Sequence, residues 1–359
     1  MRLHVPEQPA SIRMEAVLRM GGASEPLPLG RRPTPLEQRD DIGAALGLRT
    51  FLKREDLADD IGCGHKLRKL GFVLADALAQ KSDVLITAGS LPSNQCKAVA
   101  ALSRRVGLRA HIVYGGDRQR RPERANGNYL ITTLCEPTIS WFETTPWSHM
   151  PTALSTVAAA EARDGARPYV IEPGVSAWPG LLGSVDLGFE IAAQLALRDV
   201  TQCEFVAVAG SGGTCAGLAI AASLMHKPWS VTGICIGEPP EALTRRADAF
   251  VADFSRRTGL SVTTRDILSF SDLAIGDGYD AATPRECEAI STALQQYGLM
   301  LDSNYMIKAY LGMFALRQAG KLKAPAVVLL HSGGQAGLFD PGDRWQDWYR
   351  TRHANAVTR

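Results

Sequence analysis

No stretch of this chain approaches the roughly 18 consecutive apolar residues that a helical membrane span requires. The first residues, MRLHVPEQPASIRMEAVLRM, carry charges throughout and contain no apolar core of the kind a secretory signal has, so none is expected. Charge of one sign is also lacking. The net charge is +2, and the basic residues are scattered apart from the short run Arg118-Gln119-Arg120-Arg121, which gives no electrostatic case for nucleic acid or an anionic membrane as a partner. Cysteines are few and isolated, at 63, 96, 135, 203, 215, 235 and 287, with no CxxC pair and no metal-like spacing to histidine. An odd, scattered set of thiols suits a reducing cytoplasm, and no metal site is expected. No low-complexity tract and no repeat of solenoid period is present.

What is there is ordinary for a soluble globular enzyme: 359 residues, 45% hydrophobic and 21% charged. That length suits one large or two medium domains. Residues 1–33 read as a loose leader ending in a Pro/Gly/Arg stretch. Beyond it, short β-rich runs alternate with helical patterns. Strands are expected at 50–53, 84–87, 110–114, 169–172, 205–209, 231–236 and 327–331. Helices are expected at 66–80, 94–106, 181–198, 214–225, 284–297 and 305–319. Such alternation implies βαβ units and a parallel sheet covered on both faces, an α/β fold. Three strands run into Gly/Ser/Thr clusters, at 89–95, 210–214 and 332–334. Ligands of open α/β sheets sit beyond the carboxyl ends of strands, so the site is expected where these junctions converge.

The segment FVAVAGSGGTCAGLAIAASL reads strand, glycine loop, helix. Gly210, Gly212 and Gly213 let the backbone approach a ligand. Ser211 and Thr214 add hydroxyls, and the following helix aims free N–H groups at the loop. A phosphate monoester fits. The loop lacks both the GK[ST] ending of a nucleotide P-loop and the GxGxxG spacing of a dinucleotide site. A structural glycine turn is the alternative reading. In GCGHKLRKLGFVLADAL, Lys66 opens an amphipathic helix after two glycines. Near a helix N-terminus and the cations Arg68 and Lys69, its amine is expected to lose its proton readily and to be able to form a Schiff base. A solvated helix start is the alternative there.

Together these segments resemble the fold-type II pyridoxal-5′-phosphate (PLP) enzymes, in the branch of 1-aminocyclopropane-1-carboxylate (ACC) deaminase and D-cysteine desulfhydrase, whose lysine motif is GGNKxRKLE. The resemblance runs from about Thr34 to Phe339, with landmarks in family order. They are PTPLEQRDDIG at 33–43, FLKREDL at 51–57, GCGHKLRKL at 62–70, LITAGSLPSNQ at 85–95, NGNYL at 126–130, AGSGGTCAGL at 209–218, GDGYDAATP at 276–284, LDSNYMIKAYLGM at 301–313 and LLHSGGQAGLFD at 329–340. It implies a tryptophan synthase β-like fold of two parallel-sheet α/β domains with the cofactor in the cleft. Residues 34–69 and 179–359 would form the large PLP-binding domain and 70–178 a small inserted one, in a homodimer. Lys66 would be the Schiff-base lysine, with Lys69, Gly210, Ser211, Gly212, Gly213 and Thr214 around the phosphate. The turn Ser93-Asn94-Gln95 would hold the substrate carboxylate, with Asn94 also at the cofactor's 3′-oxygen. Tyr279 and Tyr305 would flank the substrate.

The chain departs from that pattern in places. His65 stands where the family has Asn, and Cys63 where it has the first of two adjacent glycines. Met306 replaces the Glu of ACC deaminase and the Thr of D-cysteine desulfhydrases, and Asp280-Ala281-Ala282 replaces GVP or SLP after the first tyrosine. Methionine cannot donate a strong hydrogen bond. Ser332, matching a Thr of the desulfhydrases, is therefore expected to face the pyridine nitrogen. The expected reaction is β-elimination from a small amino acid through an external aldimine, Lys66 removing the α-proton, to give a β-substituent, pyruvate and ammonia. β-Replacement, cyclopropane ring opening and a catalytically silent PLP-binding protein are the alternatives, with a nucleotide-binding protein as a weaker rival.

Overall fold

The computed structural model describes residues 12–116, 121–339 and 343–353. Three residues of the basic run at 118–121, and Asp340 of the last motif, lie outside the described residues. Among the described residues ten strands fall into two sheets, numbered in chain order. β2 (Arg49–Arg54), β10 (Ala326–His331), β7 (Cys203–Ala209), β8 (Trp229–Cys235) and β9 (Leu268–Ser271) run parallel, and β1 (Leu36–Gln38) pairs antiparallel with β2 at one edge. The second sheet has the order β5 (Thr138–Glu143), β4 (Arg109–Gly116), β3 (Val84–Gly89), β6 (Pro168–Ile171), all parallel. Its residues form a continuous insertion between β2 and β7. The chain is thus α/β with two parallel-sheet units.

The central strands β3, β7 and β10 are buried along their whole length, which is why they read as mostly apolar runs, interrupted only by Thr87, Glu204 and His331. Helices cover both faces of the large sheet. Gly213–Leu224 and Leu182–Ala196 pack on one side, with Leu187, Ile191, Leu218 and Ala222 against Phe205 and Val231. Met306–Gln318 packs on the other, with Ile307, Tyr310 and Met313 against Val206, Ile234 and Leu329.

Residues 12–33 are not loose throughout, contrary to the sequence reading. Met14–Gly21 is a helix that buries Val17 and Leu18 in a cluster with Phe254 and Leu181. The sequence shows its charges, and the two apolar residues on the inner face are too few to stand out as a pattern.

The helix Lys66–Ala79 is oriented by an ionic cluster behind it. Arg68 is buried and donates to both oxygens of Glu55 (2.6 and 2.9 Å) and of Glu190 (2.7 and 2.8 Å). Lys53 joins Glu190 at 2.5 Å. Residues 66 and 69 lie three apart on the opposite face, so anchoring Arg68 turns both lysines toward the space between the sheets.

Candidate active site

The carboxyl ends of β3, β6, β7 and β10 open onto one cleft, and the glycine-rich junctions meet there. Lys66 Nζ donates to the carbonyl of Gly174 at 2.8 Å, and Lys69 Nζ reaches the same oxygen at 3.3 Å and Ser176 Oγ at 3.2 Å. Ser176 Oγ in turn lies 2.8 Å from Ser211 Oγ, at the mouth of the glycine loop. Lys69 is 1% exposed, and no carboxylate among the described residues pairs with it. Two amines therefore converge on one carbonyl with no counter-charge, an arrangement whose burial is costly unless an anion joins it. Burial pushes the Lys66 amine down to about 8 and the Lys69 amine well below its ordinary value, Lys69 feeling the Lys66 charge as well. The lowering of Lys66 thus comes from desolvation and not from Arg68, whose charge is neutralised by Glu55 and Glu190.

The space beside these lysines is shaped for a phosphate. Gly212 is left-handed, with φ +82°, and leads into the helix Gly213–Leu224, whose first N–H groups face the loop. A Cβ on Gly213 would overlap Ser176, and one on Gly174 would overlap Ser211. Gly212, Gly213, Ser211, Thr214, Lys69 and Ser176 could together hold a dianion. Gly210 lies at the exposed rim of the loop.

On the opposite wall, the loop before Lys66 crosses the end of β10 backbone to backbone. A Cβ on Gly64 would overlap the Ser332 carbonyl. His65 donates twice to that carbonyl, from its backbone N–H and from Nδ1, both at 3.0 Å. A carbonyl only accepts, so Nδ1 carries a proton. Burial, then the charges of Lys66 and Lys69, hold its pKa well below the ordinary value. The His65 departure is thus a polar contact that ties two walls together. Ser332 donates from its N–H and Oγ to the Met306 sulfur at 3.3 and 3.5 Å, so the His65 and Met306 departures meet at Ser332. Asp302 fixes this corner by accepting from the N–H groups of Asn304, Tyr305 and Met306 at 2.8 to 3.0 Å. Burial, opposed by these hydrogen bonds, still lifts its carboxyl to about 6.

Tyr305 and Tyr279 touch hydroxyl to hydroxyl at 2.7 Å, and Ser90 Oγ donates to Tyr279 at 3.0 Å. Burial raises both phenols above their ordinary range, so both stay protonated. Ser93 caps the helix Asn94–Arg105, accepting from Cys96 N–H, and its own N–H donates to Ser90 O. Asn94 accepts from Lys97 and lies next to Gly334. The Gln95 side chain does not point into this turn. Its amide donates to Thr87 Oγ1 (2.7 Å) and Glu172 O (2.9 Å) and accepts from Gly174 N–H (2.5 Å), leaving only its backbone N–H for a ligand.

The contacts close a ring about the cleft: Lys66, Gly174, Gln95 to Ser93, Ser90, Tyr279, Tyr305, Met306, Ser332, His65, and back to Lys66. Sequence reasoning missed Gly174, Ser176, Asp302 and Ser90. The first two follow β6 in a Gly/Ser cluster like the three that were recognised. Asp302 accepts from the N–H groups two to four residues ahead, a local helix-start pattern that could have marked it, whereas Ser90 lies inside the 89–95 cluster but its partner Tyr279 is far away in the chain.

The sequence profile described as "Pyridoxal-phosphate dependent enzyme" matches residues 27–333. The chain belongs to that family. A D-cysteine desulfhydrase of Salmonella choleraesuis is 31% identical over 312 residues, 86% of this chain and 93% of that one. A bifunctional D-cysteine desulfhydrase/1-aminocyclopropane-1-carboxylate deaminase of Arabidopsis thaliana, named as mitochondrial, is 28% identical over 343 residues, 92% of this chain and 84% of its own. The crystal structure of an ACC deaminase homologue superposes with a TM-score of 0.83 at 28% identity, over 93% of this chain and 99% of that one. PLP is therefore the cofactor, and the lysine pair with its glycine cradle is chemically suited to it. No described helix is long and apolar enough to cross a membrane.

Proposed function

We propose that this protein is a PLP-dependent lyase that removes a β-substituent from a small amino acid, as the name D-cysteine desulfhydrase denotes for its relatives, yielding pyruvate, ammonia and the released substituent. One observation carries the reading: Lys66, a half-buried amine lowered to about 8, stands between an anion cradle on one side and a capped helix start with two neutral phenols on the other. Lys66 is the residue that attaches the cofactor. Lys69, Ser176, Ser211, Gly212, Gly213 and Thr214 would hold its phosphate, and Asn94 would contact its 3′-oxygen. Ser332, not Met306, would donate to the ring nitrogen. A thioether is a weak acceptor, so the Ser332 hydroxyl is readily redirected to a better one. When bound, PLP supplies the electron sink that makes the α-carbon acidic.

The protein's own residues then select the bond that breaks. The Ser93 hydroxyl and the N–H groups of Asn94 and Gln95 bind the substrate carboxylate. Lys66 Nζ takes the α-proton, and the neutral phenols of Tyr279 and Tyr305 face the β-substituent as proton donors. We further propose a cytoplasmic homodimer with domain boundaries near residues 70 and 178. All seven cysteines are unpaired, as a reducing compartment requires. Leu130 and Leu134, one turn apart on one helix, form an uncovered apolar strip suited to a second copy.

The test is a panel of D- and L-amino acids with leaving groups on the β-carbon, read by pyruvate and sulfide release. Wild type should release pyruvate from at least one of them. Lys66→Ala should release none and lose the visible absorption of the attached cofactor. No turnover across the panel by protein carrying PLP would overturn the reading.

A further inference from the structure

We propose that Ser90 is a positioning residue that sets the direction of the tyrosine hydroxyl pair, so that Tyr305 presents its proton to the β-substituent of the substrate. The inference rests on the lyase reading above. Each hydroxyl in the chain Ser90, Tyr279, Tyr305 has one proton to give. Ser90 Oγ donates to Tyr279 Oη at 3.0 Å. Tyr279 Oη and Tyr305 Oη lie 2.7 Å apart and either can be the donor, but a hydroxyl that already accepts a hydrogen bond is the better donor, which favours Tyr279 giving its proton to Tyr305. The proton of Tyr305 is then the one left over, and it is free to point into the cleft. Without Ser90 the pair has two equivalent arrangements, and in one of them the Tyr305 proton is turned back onto Tyr279.

The two rings are held edge to face with centroids 5.6 Å apart, so they cannot part to escape the choice. Ser90 itself is fixed at the end of β3, where its carbonyl accepts from Ser93 N–H at 3.0 Å. The same short loop therefore places the carboxylate-binding turn and orients the proton donor across the substrate.

In the step concerned, the α-proton moves to Lys66 Nζ, the electron pair of that bond becomes the new carbon–carbon double bond, and the carbon–sulfur pair leaves with sulfur. The departing sulfur takes the Tyr305 proton, and the phenolate left behind regains a proton from solvent once the sulfide has gone. A substituent that leaves without needing a proton, such as chloride, is indifferent to which way the phenol points. The role of Ser90 is thus visible as a dependence on the leaving group.

Ser90→Ala is to be compared with wild type on cysteine and on 3-chloroalanine, in the configuration that wild type accepts. On cysteine, kcat should fall about tenfold, the factor that one ordinary hydrogen bond represents, with KM little changed. The loss on 3-chloroalanine should be much smaller, and Ser90→Thr, which keeps the hydroxyl, should restore cysteine turnover. Calorimetric binding gives a readout apart from turnover: Ser90→Ala should weaken serine, whose β-oxygen can accept, more than alanine. Equal losses on both amino acids, or no loss on either, would overturn the proposal. Should Ser90→Ala fold poorly, Ser90→Cys provides the same comparison with a weak donor in place. Failure of the lyase reading itself would appear separately, as wild type inactive on both substrates.

Discussion

Ser93 holds two roles in one hydroxyl. It caps the helix Asn94–Arg105, and in the proposed reaction it meets the substrate carboxylate. Ser93→Ala should lower kcat/KM by roughly 10- to 100-fold, the loss expected for one hydrogen bond to a charged group, while costing about 1 kcal/mol of stability for the cap. A kcat/KM that falls no further than the stability change explains would leave the cap as its whole role. Lys66 makes a second prediction. With the amine at about 8, about a quarter of it is neutral at pH 7.5, against about one part in a thousand for an ordinary lysine. Because the shift is downward, the reactive form accumulates as pH rises through 8, not through 10.5. The rate at which cofactor-free protein takes up PLP should therefore climb between about pH 7 and 9 and then level. A rate still climbing steeply at pH 10 would mean that the amine is not desolvated. Both residues were legible in the sequence because glycines and a helix start mark them locally. Gln95 shows the limit of that reading. Its place in the Ser-Asn-Gln turn suggested a substrate ligand, but a side chain's direction depends on partners, here Thr87 and the 172–174 turn, that no local pattern reveals.

The segment carrying Tyr279 lies outside regular secondary structure and is held from beneath. Lys308, fully buried, donates to Ile275 O and to Glu286, each at 2.8 Å. Glu286 also closes the capping box of the helix Pro284–Tyr297 through Thr283. Lys308→Met leaves a buried carboxylate with half its partners and should cost about 3 kcal/mol, seen as a fall in Tm. It should also raise KM for the amino acid while leaving PLP affinity nearly intact. An unchanged KM would mean that the segment keeps its place without the clamp. The elements themselves were unevenly readable. The strands found in advance include every central one, where burial on both faces writes a mostly apolar run. Those missed, β1, β5 and β9, are edge strands, short or half exposed. β5 is tied down by polar contacts instead. His111 bridges Ser140 Oγ at 2.8 Å and Glu161 at 2.7 Å, linking the strand to the helix Met150–Arg163. Such a cross-element tie has no signature in a single run of residues.

At the scale of the whole molecule, the two sheets share one cleft, and the ordered set of motifs foretold that arrangement without showing how the walls are joined. They are joined in part by the Gln95 amide. The helix it begins carries the turn proposed to bind the amino acid, and the backbone it grips at Gly174 receives both lysines and abuts Ser176. The two anion-binding places are therefore mechanically one object, and filling either should alter the other's affinity by the same factor, as linkage requires. Gln95→Met, close in volume but unable to make the three hydrogen bonds, should shrink that factor toward one. It would be measured as the ratio of phosphate affinities of cofactor-free protein with and without a saturating small carboxylate. A ratio left unchanged would show the two places to be independent. If the link holds, the protein is a thermodynamic gate: how firmly it keeps its cofactor depends on whether an amino acid is seated beside it.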